Sequence, residues 1–290
     1  MVSMLLILSV VFNPAAAQQR GEVSHAQKAG ELASKGDTKG AIAEFSLALL
    51  AEPSNADLYL QRGVEYGKSG DYANASRDFT LSIRYNPNSP EAYYSRGIVY
   101  ERLGDKNKAV EDYSAAIKLK PDYVSAYYNR GIMFYNKGIY DRAIDDYQSV
   151  IKINPNHARA YYNMGLAYRA IKDTNMALIN YTRAIELSPD FKDAYFNRGR
   201  TYYDDNKDEL ALADFRKVVE IDSTDAGAYY SIGATCEWIK RYDEAIAAYK
   251  TYLRLAPPDD SARANELRDR FQDIDNKKAR YEKEKRSKQP

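Results

Sequence analysis

Few residues in this chain could do covalent or metal chemistry, and their spacing does not bring them together. The only histidines are His25 and His157 and the only cysteine is Cys236. None falls near another His, Cys or carboxylate at the short intervals that place metal ligands side by side. Asp145-Asp146 and Asp204-Asp205 are adjacent acids, but neighbours on a helix point to different sides and cannot face one another across a substrate. Glycine recurs at wide, regular intervals rather than in a loop that could cradle phosphate. The expectation is a protein with no catalytic residues, metal or cofactor. Cys236 has no partner within the chain and suits either redox compartment.

The chemistry that does recur is ionic and aromatic, and it recurs every thirty-four residues. One column reads Lys28, Arg62, Arg96, Arg130, Met164, Arg198, Ile232, and the column sixteen further on reads Glu44, Asp78, Asp112, Asp146, Asn180, Asp214, Ala248. Where the first is basic the second is acidic, and where the first is Met or Ile the second is Asn or Ala. Pairing across rows would set Asp146 against Met164 and Asp214 against Ile232. The expected ion pairs are therefore Arg62 with Asp78, Arg96 with Asp112, Arg130 with Asp146 and Arg198 with Asp214, each within one row. They read as structural, since a partnered guanidinium is already occupied.

Other columns show what must position these pairs. Gly63, Gly97, Gly131, Gly165, Gly199 and Gly233 form one, Ala41, Ala75, Ala109, Ala143, Ala177, Ala211 and Ala245 another. A third is aromatic throughout: Phe45, Phe79, Tyr113, Tyr147, Tyr181, Phe215 and Tyr249. Within a row, Tyr127, Arg130, Gly131 and Phe134 share one helix face, as do Ala143, Ile144, Tyr147 and Ile151. Each row is thus two helices, with small residues letting the backbones approach and aromatic rings filling the space beside them. Gly36, Gly70, Gly104 and Gly138 stand where the first helix must end in a left-handed residue; Asn206 suits that place, while Lys172 and Lys240 are strained there. Pro53, Pro87, Pro121, Pro155, Pro189 and Pro257 follow the second helix.

This period, with these columns, resembles the tetratricopeptide repeat family, whose W-x2-L-G-x2-Y…A-x3-F…P pattern it follows with Tyr in the Trp place. The resemblance implies an all-α fold, a right-handed α-α superhelix of seven helix pairs at 22–55, 56–89, 90–123, 124–157, 158–191, 192–225 and 226–259, with the first helices on the concave side. Row one is degenerate, with His25, Lys28 and Ala29 where later rows have Tyr, Arg and Gly, as suits a terminal repeat. Ala264, Leu267, Phe271 and Ile274 form a narrow apolar stripe, read as a capping helix over 260–275. The charged stretch 276–290 has almost nothing to bury and is expected to be disordered.

At the other end, the apolar run from Met4 to Phe12 is followed by Ala15-Ala16-Ala17, the pattern of an export signal over 1–17. No Lys or Arg precedes it. The expected location is periplasmic or secreted after cleavage near Ala17, the alternative being cytoplasmic if the run is not a signal. The formal net charge is +1. The basic end (Lys277, Lys278, Arg280, Lys283, Lys285, Arg286, Lys288 against Glu282 and Glu284) leaves the repeats mildly acidic, unlike a nucleic-acid binder.

In the family the resemblance points to, ligands lie along the first helices. The positions it implies give an aromatic strip with Tyr128, Tyr162 and Phe196, an Asn ladder of Asn129, Asn163 and Asn197, and the cations Arg159, Arg169 and Arg200. An Asn side chain offers a peptide backbone both a donor and an acceptor. Relatives that clamp a C-terminal carboxylate need Lys where this chain has Tyr or Phe, so that activity is not implied. The expected function is an interaction scaffold that binds an extended peptide, with a preference for acidic segments. The alternative is a structural, self-associating subunit of an envelope assembly.

Overall fold

The structure is a computed structural model that describes residues 24–256 and 261–287. The predicted export signal, Pro257 and the last three residues lie outside the described residues, as does the side chain of Ala264. Among the described residues there are fifteen helices and no strand. They are α1 (His25–Ser34), α2 (Thr38–Ala51), α3 (Ala56–Lys68), α4 (Tyr72–Tyr85), α5 (Pro90–Arg102), α6 (Lys106–Leu119), α7 (Val124–Asn136) and α8 (Tyr140–Ile153). There follow α9 (Ala158–Ala170), α10 (Thr174–Leu187), α11 (Lys192–Asp204), α12 (Asp208–Ile221), α13 (Ala226–Trp238), α14 (Tyr242–Leu255) and α15 (Ser261–Ser287). The fold is an all-α repeat fold of the superhelical class, built from consecutive helix pairs.

The chain divides into two compact units, one ending at Phe134 and the other beginning at Tyr135. In the first, α1 packs on α2, α3 on α4 and α5 on α6, with α2 and α4 each also packing on the helix that follows. In the second, α9–α10, α11–α12 and α13–α14 form the pairs, and α8, α10 and α12 each pack on the next helix. Each helix pair is too small to bury its own apolar stripe and does so against its neighbours.

Local chemistry starts and stops these helices where the fold needs it. Asp37, Asp71, Asp105 and Asp173 cap the second helices, each accepting from the backbone N–H three residues on. Asn55, Ser89 and Asp225 cap first helices in the same way. His157 caps α9 through its Nδ1, which accepts from the Ala160 N–H at 3.1 Å. Between the two helices of a repeat, Gly36, Gly70, Gly104 and Gly138 take φ of 74–82°, and Lys172, Asn206 and Lys240 take the same left-handed turn at 57–65°.

The core follows the small and aromatic columns. Ala41, Ala75, Ala109, Ala143, Ala177, Ala211 and Ala245 are all fully buried. A Cβ placed on Gly97 would stand 2.7 Å from the Tyr113 ring, and one on Gly233 2.5 Å from that of Tyr249. Glycine is favoured at these two places because the Cδ1–Cε1 edge of the ring lies against the helix backbone. Cys236 is buried as well, and burial pushes its thiol up to about 11, so it is a packing residue rather than a nucleophile.

The two ends depart from the expected pattern in instructive ways. In the first repeat, Lys28 and His25 converge on Glu44, with His25 Nδ1 at 2.6 Å, and hold its carboxyl below the usual range, the Lys28 bond most of all. At the other end, the expected stop at residue 275 is corrected: α15 continues to Ser287. Leu267 and Ile274 are buried against the last repeat. Beyond them Lys277 donates to Glu237 at 3.2 Å, Lys278 pairs with Asp243, and Tyr281 packs edge-on to Tyr242. A stretch with no apolar stripe is thus held by ionic and aromatic partners on repeat seven.

Candidate peptide-binding wall

The arginine column makes a junction of three helices. Arg198 donates from Nε and Nη2 to the two Asp214 oxygens at 2.8 and 2.7 Å, and from Nη1 to Thr182 Oγ1 at 3.0 Å. Arg62 does the same with Asp78 and Ser46, and Arg96 with Asp112 and Thr80. The acid belongs to the second helix of the same repeat, and the hydroxyl to the second helix of the repeat before. Aromatic rings flank the guanidinium, Tyr195 and Tyr202 lying 5.6 and 5.9 Å from that of Arg198. Burial pushes the Asp214 carboxyl up, against the pull of Arg198. In the first unit Arg130 Nη1 donates to Ser114 Oγ at 2.9 Å, and in the second Asp146 is buried.

The hydroxyl is a partner that the sequence reading missed, although a signal for it exists. Sixteen residues before each arginine stand Ser46, Thr80, Ser114 and Thr182, whereas Gln148 precedes Met164 and Arg216 precedes Ile232. All three columns switch together. In repeat five Met164 and Asn180 are buried instead, and the Asn180 amide is satisfied by the Met176 carbonyl at 2.7 Å.

The predicted binding residues fall in both units. Tyr128 and Asn129 belong to the first unit, and Arg159, Tyr162, Asn163, Arg169, Phe196, Asn197 and Arg200 to the second. The rings are half-buried rather than displayed. Tyr162 packs on Phe191 at 4.9 Å and Tyr181 at 6.0 Å, and Phe196 packs on Phe215 at 5.8 Å. Asn129 donates to the Tyr94 hydroxyl at 3.2 Å. Asn197 donates to the Tyr162 hydroxyl at 3.0 Å and to the Asp193 carbonyl at 2.9 Å. The expectation of a donor-and-acceptor ladder therefore needs correction at Asn197. Both its N–H groups are used inside the protein, and its Oδ1 is what remains for a ligand.

The three cations have different surroundings. Arg169 donates to Asp204 of the next first helix at 2.9 Å. The acid lies thirty-five residues on, in the next repeat. Arg200 is exposed and makes no ion pair among the described residues. Arg159 is exposed too but lines a polar cleft at the repeat turns with His157, Asp190 and Lys192. Arg169 lines a different cleft, with Tyr135, Thr201 and Asp204.

Among the described residues no cluster of three or more His, Cys, Asp or Glu could hold a metal ion. No helix there is long and apolar enough to cross a membrane.

Models of the tetratricopeptide repeat match residues 56–89, 79–111, 124–157, 158–191, 192–225 and 226–259, and a TPR repeat model matches 102–138. The chain belongs to the tetratricopeptide repeat family. Among solved members, MamA is 30% identical with a TM-score of 0.55, the match covering 57% of this chain and 90% of MamA. The C-terminal part of a TPR repeat-containing protein from Cytophaga hutchinsonii is 23% identical with a TM-score of 0.69, covering 79% of this chain and 95% of that one. YrrB, a TPR protein described as having an unusual peptide-binding site, is 22% identical with a TM-score of 0.55, covering 63% and 94%. These last two likenesses carry the fold alone. No curated protein matches this chain. Tetratricopeptide repeats are in general non-enzymatic scaffolds, and this chain is a protein–protein interaction scaffold whose partners are proteins.

Proposed function

We propose that the first-helix wall of repeats five and six binds an extended peptide segment and favours acidic ones. The carrying observation is Arg200. Arginines 62, 96 and 198 each spend their donors on an acid and a hydroxyl. Arg200, one turn along α11 from Asn197, is exposed and makes no ion pair among the described residues. Asn197 Oδ1 beside it is fixed by the bonds its amide nitrogen makes, so it is an ordered acceptor for a backbone N–H. Half-buried Tyr162 and Phe196 add apolar surface without demanding a particular side chain. We further propose that the protein works outside the cytoplasm after cleavage at Ala17, which an intact mass beginning at Gln18 would support and a cytosolic protein beginning at Met1 would refute.

The binding test is an array of extended acidic, neutral and basic peptides probed with the purified protein. Acidic segments should bind best, and Arg200→Glu should weaken them about ten-fold, the worth of one charge-assisted contact. Arg200 is exposed, so folding survives the change. Lys118→Glu, on an exposed position of α6 in the first unit, is the control and should leave binding unchanged. No preference for acidic peptides, or equal binding by Arg200→Glu, would refute the proposal.

A further inference from the structure

The aromatic column at the base of the wall carries a hydroxyl in four repeats, and three of them can be compared directly. In repeat three the Tyr113 hydroxyl donates to Glu101 Oε2 at 2.9 Å. In repeat seven the Tyr249 hydroxyl meets Glu237 Oε2 at 3.3 Å, and the other oxygen of Glu237 accepts from Arg270 and Lys277 of α15, each at 3.2 Å. The carboxylate there sits between a buried tyrosine and two cations. In both repeats the acid stands twelve residues before the tyrosine.

Repeat five keeps the tyrosine and lacks the carboxylate. Tyr181 is fully buried, and its hydroxyl has no hydrogen-bond partner among the described residues. Twelve residues before it stands Arg169, a side chain that can only donate. An orphaned buried hydroxyl is costly unless something completes it. Burial pushes the Tyr181 phenol above the ordinary tyrosine range, and both Arg169 and Arg200 act on it in the opposite sense. Arg169 stands at the position from which Glu101 and Glu237 reach the tyrosine of their own repeats. A cleft lined by Tyr135, Leu166, Arg169, Thr201 and Asp204 opens beside Arg169. Arg169 is drawn aside to Asp204, whose side chain is 61% exposed, a contact that solvent weakens and a ligand can replace.

We infer that repeat five holds a seat for a carboxylate of the bound segment, an Asp or Glu side chain that accepts from the Tyr181 hydroxyl and pairs with Arg169. Its arrangement repeats the one that Tyr249, Glu237 and the cations of α15 make within the chain. The seat rests on the peptide-binding reading above and specifies it. It explains why the hydroxyl is retained where phenylalanine serves in repeats two and six, at Phe79 and Phe215.

The test compares two labelled, amidated peptides, one alternating Ala and Glu, the other alternating Ala and Gln, by fluorescence anisotropy. Wild type should favour the Glu peptide about ten-fold, and Tyr181→Phe and Arg169→Gln should each reduce that ratio to about two-fold. Tyr181→Phe should unfold at the same urea concentration as wild type or a higher one, because it deletes an unsatisfied donor. Tyr113→Phe, which loses an internal hydrogen bond, should be less stable and keep the full ratio. If Tyr181→Phe retains the wild-type ratio, or wild type binds both peptides equally or neither, the seat is refuted. A ratio kept by Tyr181→Phe but lost by Arg200→Glu would leave the wall reading standing without the seat; a ratio untouched by Arg200→Glu would remove both.

Discussion

Arg198→Met isolates one junction, because the chain already contains the expected answer. Arg198 and Asp214 side chains are 16% and 6% exposed, so the pair is largely removed from water. Deleting the guanidinium leaves a buried carboxylate with no counter-charge, a loss of about 3–5 kcal/mol when such a pair is broken from one side. The Thr182 hydroxyl loses a partner too, but it can turn to a backbone carbonyl of its own helix and adds little. Arg198→Met with Asp214→Asn copies the Met164 and Asn180 of repeat five, where the amide is satisfied by a carbonyl four residues back. The double variant should recover most of the loss, with a coupling of about 2–3 kcal/mol in the double-mutant cycle. The pH dependence carries a sign. Burial already raises the Asp214 carboxyl, and Arg198 opposes it; without Arg198 the raised value climbs further. A carboxyl raised on folding supports the fold fully below its unfolded value of about 3.9 and withdraws that support as pH rises through the folded value. The penalty of Arg198→Met should therefore be small near pH 3 and complete at neutral pH. Urea unfolding followed by circular dichroism and by Trp238, the only tryptophan, reads the cycle in the neighbouring repeat. Additive single variants, or a penalty that does not change with pH, would refute the junction as an energetic unit.

Three other outcomes follow from the packing and the turns. Gly97→Ala would set a Cβ 2.7 Å from the Tyr113 ring and should cost about 1–3 kcal/mol by overpacking, read as a lower urea midpoint. Lys172→Gly and Lys240→Gly, both at φ 65°, should each stabilise by about 0.5–1 kcal/mol by relieving left-handed strain, and a loss on both would contradict the turn geometry. Lys192 bridges Asp222 and Asp225 at 2.7 and 3.0 Å and, chiefly through its hydrogen bond, holds the Asp222 carboxyl at about 2. Its support for the fold is present above the unfolded value of about 3.9 and fades as pH falls through about 2. Lys192→Met should move the Asp222 titration up toward the ordinary carboxylate range, with Thr224 still holding it partly down, as followed by carboxyl carbon NMR; an unmoved titration would exclude the clamp.

The thirty-four-residue period determined much of this protein, because most of its contacts lie within one repeat or between adjacent ones. The small columns at Gly97 and Ala109, the ring of Tyr113 and the left-handed glycines are each legible from position alone, since a helix face and a turn are local properties. The partner of Arg198 was legible for a different reason: when Met164 and Ile232 replace arginine, their same-row partners lose charge with them. Only the tertiary structure decided where side chains with spare donors or acceptors go. Arg198 has a third donor direction, used on Thr182 of the preceding repeat. Asn197 turns its amide nitrogen inward to Tyr162, Arg169 leans to Asp204 thirty-five residues on, and Lys277 and Lys278 carry α15 past its apolar stripe to acids on repeat seven. Each of these depends on the register of one repeat on the next and on side-chain reach. A period read within single rows contains neither. The orphaned hydroxyl of Tyr181 belongs with them, because its chemistry is visible only beside Tyr113 and Tyr249, whose acids stand in three dimensions where repeat five has Arg169.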